Sequence, residues 1–250
     1  MSKKGKVYAV GIGPGNIEHM TIKAYNTIKD SEVIVGYKTY IDLIKSLIHD
    51  KEIISYGMKS EKERCKKAVD LARQGKIVSI ISSGDVGIYG MAGLLLEVAD
   101  QNKSTKTMEI EIVPGVTASV AAAASIGAPI MHDYVSISLS DLLTDWEVIE
   151  KRVEMAARGD FVICLYNPKS KGRQRQIEIA HDTLLKHKSE ETVVAIATNV
   201  KRQNEKITIT TLKDMLKHSI DMFTTVIIGN SKTHMSVDDQ FMVTPRGYKI

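Results

Sequence analysis

Short apolar runs alternate along this chain with longer stretches whose apolar residues recur every three or four positions. Lys6–Ile12 reads as a buried strand running into a glycine loop, Met20–Lys29 as a helix and Glu32–Val35 as a second strand. Tyr40–Ile48 carries helical spacing at Ile41, Ile44, Leu47 and Ile48. Glu61–Gln74 is a further predicted helix, closed by Gly75. Lys76–Ser82 and Met108–Val113 read as strands, Gly93–Gln101 as a helix and Thr117–Ser125 as a small-residue helix. This alternation predicts an α/β fold, a mainly parallel sheet with helices on both faces.

From Tyr134 the texture changes. Tyr134–Leu139 alternates as a strand, Ser140–Asp145 reads as a connector and Trp146–Arg158 as a helix stopped by Gly159. Phe161–Tyr166 is a predicted strand and Arg175–His187 a helix. Thr192–Thr198, Lys206–Thr210, Thr224–Ile228 and Gln240–Val243 complete the strands. Thr211 is a candidate N-cap for a helix over Leu212–His218. The change of texture near 136–146 divides the chain into an N-terminal α/β domain, 1–138, and a C-terminal α/β domain, 139–250.

Composition excludes several classes. Of 250 residues, 43% are hydrophobic and 26% charged, which rules out wholesale disorder and fibrous structure. The net charge is 34 − 30 = +4. That is compatible with an anionic small ligand and does not itself indicate nucleic-acid binding. Cys65 and Cys164 form no Cys-x-x-Cys pair, which fits a reducing cytoplasm. No signal peptide is read at the start, and no apolar run approaches the ~18 residues that span a membrane. The seven histidines show no metal-ligand spacing, so no metal site is expected.

Three strand-to-helix loops carry the candidate chemistry. Gly11-Ile12-Gly13-Pro14-Gly15-Asn16 follows the first strand, and glycines there let backbone approach a ligand closely. Its third glycine comes one position too early for a dinucleotide fingerprint. The second strand ends Val35-Gly36-Tyr37, with no acid for a ribose hydroxyl. Ser82-Ser83-Gly84-Asp85-Val86-Gly87-Ile88-Tyr89-Gly90 and Val113-Pro114-Gly115-Val116-Thr117-Ala118 repeat the strand–turn–helix form. Asp85 is either a ligand contact or a helix cap. Such loops sit at the carboxyl ends of strands, where open α/β sheets bind ligands.

Gly13-Pro14-Gly15-Asn16 with Thr21, Ser83-Gly84-Asp85-x-x-Ile88-x-Gly90 and Val113-Pro114-Gly115-Val116-Thr117-Ala118 resemble the tetrapyrrole methylases. These are S-adenosylmethionine-dependent enzymes of siroheme and cobalamin synthesis. The resemblance spans the whole chain. The segment His132–Thr144, Leu165-Tyr166-Asn167-Pro168-Lys169-Ser170-Lys171-x-Arg173 and Pro245-Arg246-Gly247-Tyr248 are similar to the branch that methylates C17 and contracts the ring. The resemblance implies two α/β domains with the cofactor in the cleft between them, usually in a homodimer. It implies cofactor contacts at Pro14, Ser83, Gly84, Asp85, Ile88, Thr117, Ala118, Tyr166 and Thr198. Tyr166 stands where many relatives have Met, and Thr198 where many have Gly.

S-adenosylhomocysteine would be the cofactor product, and the partner an anionic tetrapyrrole rather than nucleic acid or membrane. Lys169, Lys171, Arg173 and Arg175 are candidate contacts to its carboxylates, since Arg forks suit carboxylates and Lys supplies point charge. A solvated helix start is the alternative. Methyl transfer is an in-line displacement, so the protein mainly positions the reactants. Ring contraction also needs proton movement. His132, Asp133, Ser136 and Asp141 are the catalytic candidates, with Ser138 and Ser140 in the same polar segment. Competing readings are methylation at C11 or C20, and a corrinoid-binding protein without turnover.

Overall fold

The computed structural model describes residues 4–101 and 107–249. Two sheets organise it, and the chain divides into Met1–Ala118 and Ser119–Ile250.

The first unit runs β1 (Lys6–Gly11), a 3-10 turn (Ile17–His19), α1 (Ile22–Asp30), β2 (Val33–Tyr37), α2 (Lys38–Leu43) and β3 (Glu52–Tyr56). It continues with α3 (Glu61–Arg73), β4 (Ile77–Ser82), α4 (Ala92–Gln101) and β5 (Glu109–Val113). The strands lie parallel in the order β3-β2-β4-β1-β5. Both faces are covered, so the central strands are apolar on successive residues rather than alternate ones. Val7, Ala9, Val35 and Ile80 pack with α3 and α4, whereas Val10, Ile34 and Ile81 pack with α1 and α2. In α3, Cys65, Ala68, Val69 and Ala72 form one buried stripe at helical spacing. Gly75 at φ +89° ends that helix, and its N–H donates to Ala72 O at 2.9 Å.

The second unit takes in α5 (Ala118–Ile126, entered from the first unit), β6 (Gly127–Ala128), β7 (Tyr134–Ser138), α6 (Trp146–Arg158), β8 (Val162–Tyr166) and α7 (Gln176–Leu185). β9 (Val193–Thr198), β10 (Lys206–Thr211), β11 (Thr224–Ile228), β12 (His234–Met235) and β13 (Met242–Val243) follow. The larger sheet has the order β10-β9-β11-β8-β7, with β7 parallel to β8 and β11 antiparallel to both its neighbours. The carboxyl ends of β7, β8 and β9 therefore share one edge. Ile163, Leu165, Ile196 and Val226 pack with Ile149 and Val153 of α6 and Ile177 and Leu184 of α7. β12, β13 and β6 form a small separate sheet.

Several expectations change. The expected division after residue 138 leaves Tyr134–Ser138 with the first half, but β7 is hydrogen-bonded to β8 and belongs to the second sheet. The helix expected over Tyr40–Ile48 stops at Leu43 and passes into a 3-10 turn at Lys45–Leu47. Its apolar spacing still reports burial, since Ile41, Ile44 and Ile48 are all in the core. The helix expected over Leu212–His218 is a 3-10 turn at Met215–Lys217, and Thr211 ends β10 instead of capping a helix. Edge strand β3 escaped the pattern because none of its residues is fully buried. Among the described residues no helix is long and apolar enough to cross a membrane.

Candidate functional site

β1 lies between β4 and β5, so the three glycine loops open side by side at the carboxyl edge of the first sheet. Their backbones are in direct contact. Gly13 N–H donates to Gly84 O at 3.1 Å, and Gly84 N–H to Gly13 O at 2.7 Å. Both glycines have positive φ, +75° and +69°, which side chains on L-residues resist. Gly115 is held between the other two loops: a Cβ there would stand 2.2 Å from Gly84 O and 2.6 Å from Gly11 O. Thr21 ties the first loop to the third. Its Oγ1 accepts from Ala24 N–H as the cap of α1 and donates to Pro114 O at 3.2 Å.

Asp85 binds the remaining pair together. One carboxylate oxygen accepts from Gly87 N–H at 2.8 Å, and the other from Gly115 N–H at 2.9 Å. Both oxygens thus serve the loops themselves, and Asp85 caps no helix. Pro14 and Gly84 are buried, Thr117 is 6% exposed, and Ser83 and Ala118 are half-buried. Ile88 is exposed at 39%. The loops therefore present a glycine backbone, two hydroxyl-bearing residues and an apolar side chain at one sheet edge.

A second polar cluster lies at the shared carboxyl edge of β7, β8 and β9. Ser138 and Tyr166 end adjacent strands in register. Tyr166 OH accepts from Ser119 N–H at 2.8 Å, at the start of α5. Thr198 ends β9 and shares a 3.0 Å hydroxyl hydrogen bond with Thr224. Ser138 Oγ accepts from Asn167 Nδ2 at 3.0 Å and from Ser140 N–H at 3.2 Å. Asn167, at φ +49°, turns the chain after β8.

The basic run splits. Ser170 and Arg173 close a turn by exchanging backbone hydrogen bonds at 2.8 and 3.2 Å. Arg173 is only 9% exposed; its guanidinium donates to Asn167 O at 2.7 Å and Ser140 Oγ at 3.2 Å. Burial pulls its pKa down and Asp141 pushes it back up in part. Arg173 is thus buried and hydrogen-bonded within its own loop rather than standing free in solvent. Lys171 and Arg175 are exposed and Lys169 is half-buried. Gln176, the first residue of α7, donates to Asp141 Oδ2 at 2.7 Å.

The four expected catalytic residues do not meet at one point. His132 and Asp133 precede β7, whereas Asp141 follows it. The five-residue strand between them spans ~17 Å at about 3.3 Å per residue. Both are exposed, and His132 Nδ1 accepts from Asp133 N–H at 2.7 Å. Ser136 sits mid-strand, in a groove of about 510 Å³ also lined by Val148, Lys151, Arg152 and Met155. Sequence reasoning named Ser138 and Ser140 but missed Asn167, Gln176 and the inward role of Arg173. Cys65 and Cys164 are buried, which pushes both thiols up to about 12 and leaves them without nucleophilic character. Among the described residues no group of three or more His, Cys, Asp or Glu could hold a metal ion.

The chain is 49% identical over 248 residues to the cobalt-factor III methyltransferase of Priestia megaterium, covering 98% of this chain and 46% of that one. It therefore spans about half the length of that relative. It is 48% identical over 241 residues to a Salmonella typhimurium protein named "Probable cobalt-factor III C(17)-methyltransferase", covering 96% of this chain and 98% of that one. The crystal structure of the methyltransferase CobJ superposes with a TM-score of 0.91 at 34% identity, covering 96% of this chain and all of that one. The family model of the tetrapyrrole (corrin/porphyrin) methylases matches residues 6–216, and with these likenesses the chain belongs to that family.

Proposed function

We propose that this protein transfers a methyl group from S-adenosylmethionine to C17 of a cobalt-factor III-type tetrapyrrole, with ring contraction, in cobalamin biosynthesis. The observation that carries the reading is the convergence of three glycine loops in a member of this family, together with near-full-length identity to a protein named for that activity. The curated names favour the cobalt-containing substrate over precorrin-3B. Methylation at C11 or C20 is the competing assignment, and neither relative's name supports it.

The loop residues fit the cofactor. Gly13, Gly84 and Gly115 keep Cβ atoms out of a backbone cradle, and Ser83, Thr117 and Ile88 supply hydroxyls and an apolar contact. The bound cofactor supplies an electrophilic methyl on its sulfonium. Pro14, Ser83, Gly84, Asp85, Ile88, Thr117 and Ala118 are the proposed contacts, with Tyr166 and Thr198 from the second unit. Asp85 acts by keeping Gly87 and Gly115 in place. The chain needs no nucleophile of its own, because an electron-rich macrocycle carbon attacks directly. Its own residues bind, orient and exclude water. The proposal extends, on family resemblance alone, to a cytoplasmic homodimer.

The test is to incubate the protein with cobalt-factor III and deuteromethyl-labelled S-adenosylmethionine, then read the product by mass spectrometry. One labelled methyl per macrocycle is expected. Binding of both compounds without label transfer would favour the non-catalytic alternative.

A further inference from the structure

We infer that Ser138 and Ser140, held by Asn167 and Arg173, form a donor-rich cluster for a rim oxygen of the substrate, a carboxylate or carbonyl. The inference rests on the methyltransferase reading above and identifies where in the second unit the macrocycle is gripped.

Ser138 Oγ accepts from Asn167 Nδ2 and from Ser140 N–H; Ser140 Oγ accepts from Arg173 Nη1. Each hydroxyl is fixed through its oxygen, and among the described residues neither hydroxyl hydrogen has an acceptor. A serine hydroxyl carries one donor hydrogen, so two remain to be used. Behind them Arg173 Nε is buried and has no partner among the described residues. Both serines are half-buried and so reachable from solvent. Two hydroxyl hydrogens on oxygens already engaged as acceptors favour a group that accepts. An ionised carboxylate is such a group, and hydrogen bonds to it are strong.

The surroundings suit an amphipathic ring with an anionic edge. Leu142 and Leu143, two and three residues after Ser140, are 68% and 100% exposed. Exposed leucines side by side are unusual and offer an apolar surface beside the donors. Lys171 and Arg175 flank the same loop as exposed cations. Asp141 follows Ser140 directly, and Gln176 holds its Oδ2 at 2.7 Å. Arg173 acts as a positioning residue: its second arm is locked on Asn167 O, so the Ser140 oxygen is held in place through it.

The experiment measures cobalt-factor III binding by absorbance titration, and methyl transfer alongside, for wild type, Ser140→Ala, Arg173→Gln and the double variant. Ser140→Ala is expected to weaken substrate binding about tenfold, the loss of one hydrogen bond to a charged group. S-adenosylmethionine affinity and thermal midpoint should stay at wild-type values in that variant. The double variant should bind no worse than Arg173→Gln alone, because both act on one contact. Fully amidated cobalt-factor III serves as the second probe; if the contact is a carboxylate, the Ser140→Ala penalty should shrink with it, whereas an undiminished penalty identifies a carbonyl. Unchanged affinity in folded Ser140→Ala, or fully additive losses, would overturn the inference while leaving the methyltransferase reading intact. Absence of methyl transfer by wild type would instead remove the reading on which it rests.

Discussion

Gly115 is the most confined of the glycines in the three candidate cofactor loops, because a Cβ there would overlap Gly84 O and Gly11 O of the two neighbouring loops. Gly115→Ala must separate the loops while leaving the pairing of β1 with β4 and β5 available. Calorimetry is expected to show at least a tenfold loss of S-adenosylmethionine affinity, with far-ultraviolet circular dichroism little changed. Asp85→Asn tests the same junction differently. The amide NH2 must oppose either Gly87 N–H or Gly115 N–H, and one mispaired group costs about 1–3 kcal/mol. The expected readout is roughly a ten- to hundredfold rise in cofactor Kd. At this scale the sequence was informative about the glycines, since strand–glycine–helix punctuation is local. It offered a ligand contact or a helix cap for Asp85 and missed the bond to Gly115, because that partner lies thirty positions away. The burial of Arg173 was illegible for the same reason: nothing local in the basic run shows that Ser140 folds against it.

Among the elements, the start of β8 and the end of β11 are pinned by a buried cation. Lys188 Nζ, on a side chain 2% exposed, donates to Phe161 O at 3.0 Å, Gly229 O at 3.1 Å and Asp160 Oδ1 at 3.3 Å. Burial lowers the Lys188 pKa, and Asp160 offsets part of that. Lys188→Met leaves two carbonyls unpaired and is expected to lower stability by about 1–3 kcal/mol, read from denaturant midpoints. Asp160 gives the arrangement a pH dependence. Partial burial pushes its carboxyl up, but the Ser231 hydroxyl and N–H and the Lys188 charge outweigh this and hold it below its ordinary 3.8. Its contribution is present above that ordinary value and is lost as pH falls through the lower native one. Asp160→Asn should therefore lower stability at neutral pH and flatten the acid limb, so that the variant and wild-type curves converge as pH falls. An acid limb identical to wild type would contradict this. Strongly periodic elements such as α3 and α6 were legible. α2 and the Met215–Lys217 turn were not, because apolar spacing reports burial and does not distinguish α from 3-10 hydrogen bonding.

For the whole molecule, the two sheets and the family were legible because the apolar runs and the three loops recur in fixed order. The boundary was misplaced because β7 reads alike whichever sheet it joins, and only its pairing with β8 decides. The candidate ring-contraction residues were grouped by nearness in sequence, while β7 carries His132 and Asp133 to the far end from Ser138 and Ser140. Exposed charge also acts at this scale. Lys171→Gln combined with Arg175→Gln is expected to raise the substrate KM several-fold and weaken its salt dependence, with cofactor affinity unchanged. A fall in cofactor affinity at constant KM would assign those cations to the other ligand.

The central claim concerns where the methyl goes. It is tested most directly by carbon-13 NMR of the product made from cobalt-factor III and S-adenosylmethionine carrying a labelled methyl. The account requires one labelled methyl on C17 of a contracted macrocycle. Label on C11, C20 or any other carbon, or a methylated ring of uncontracted size, would contradict it.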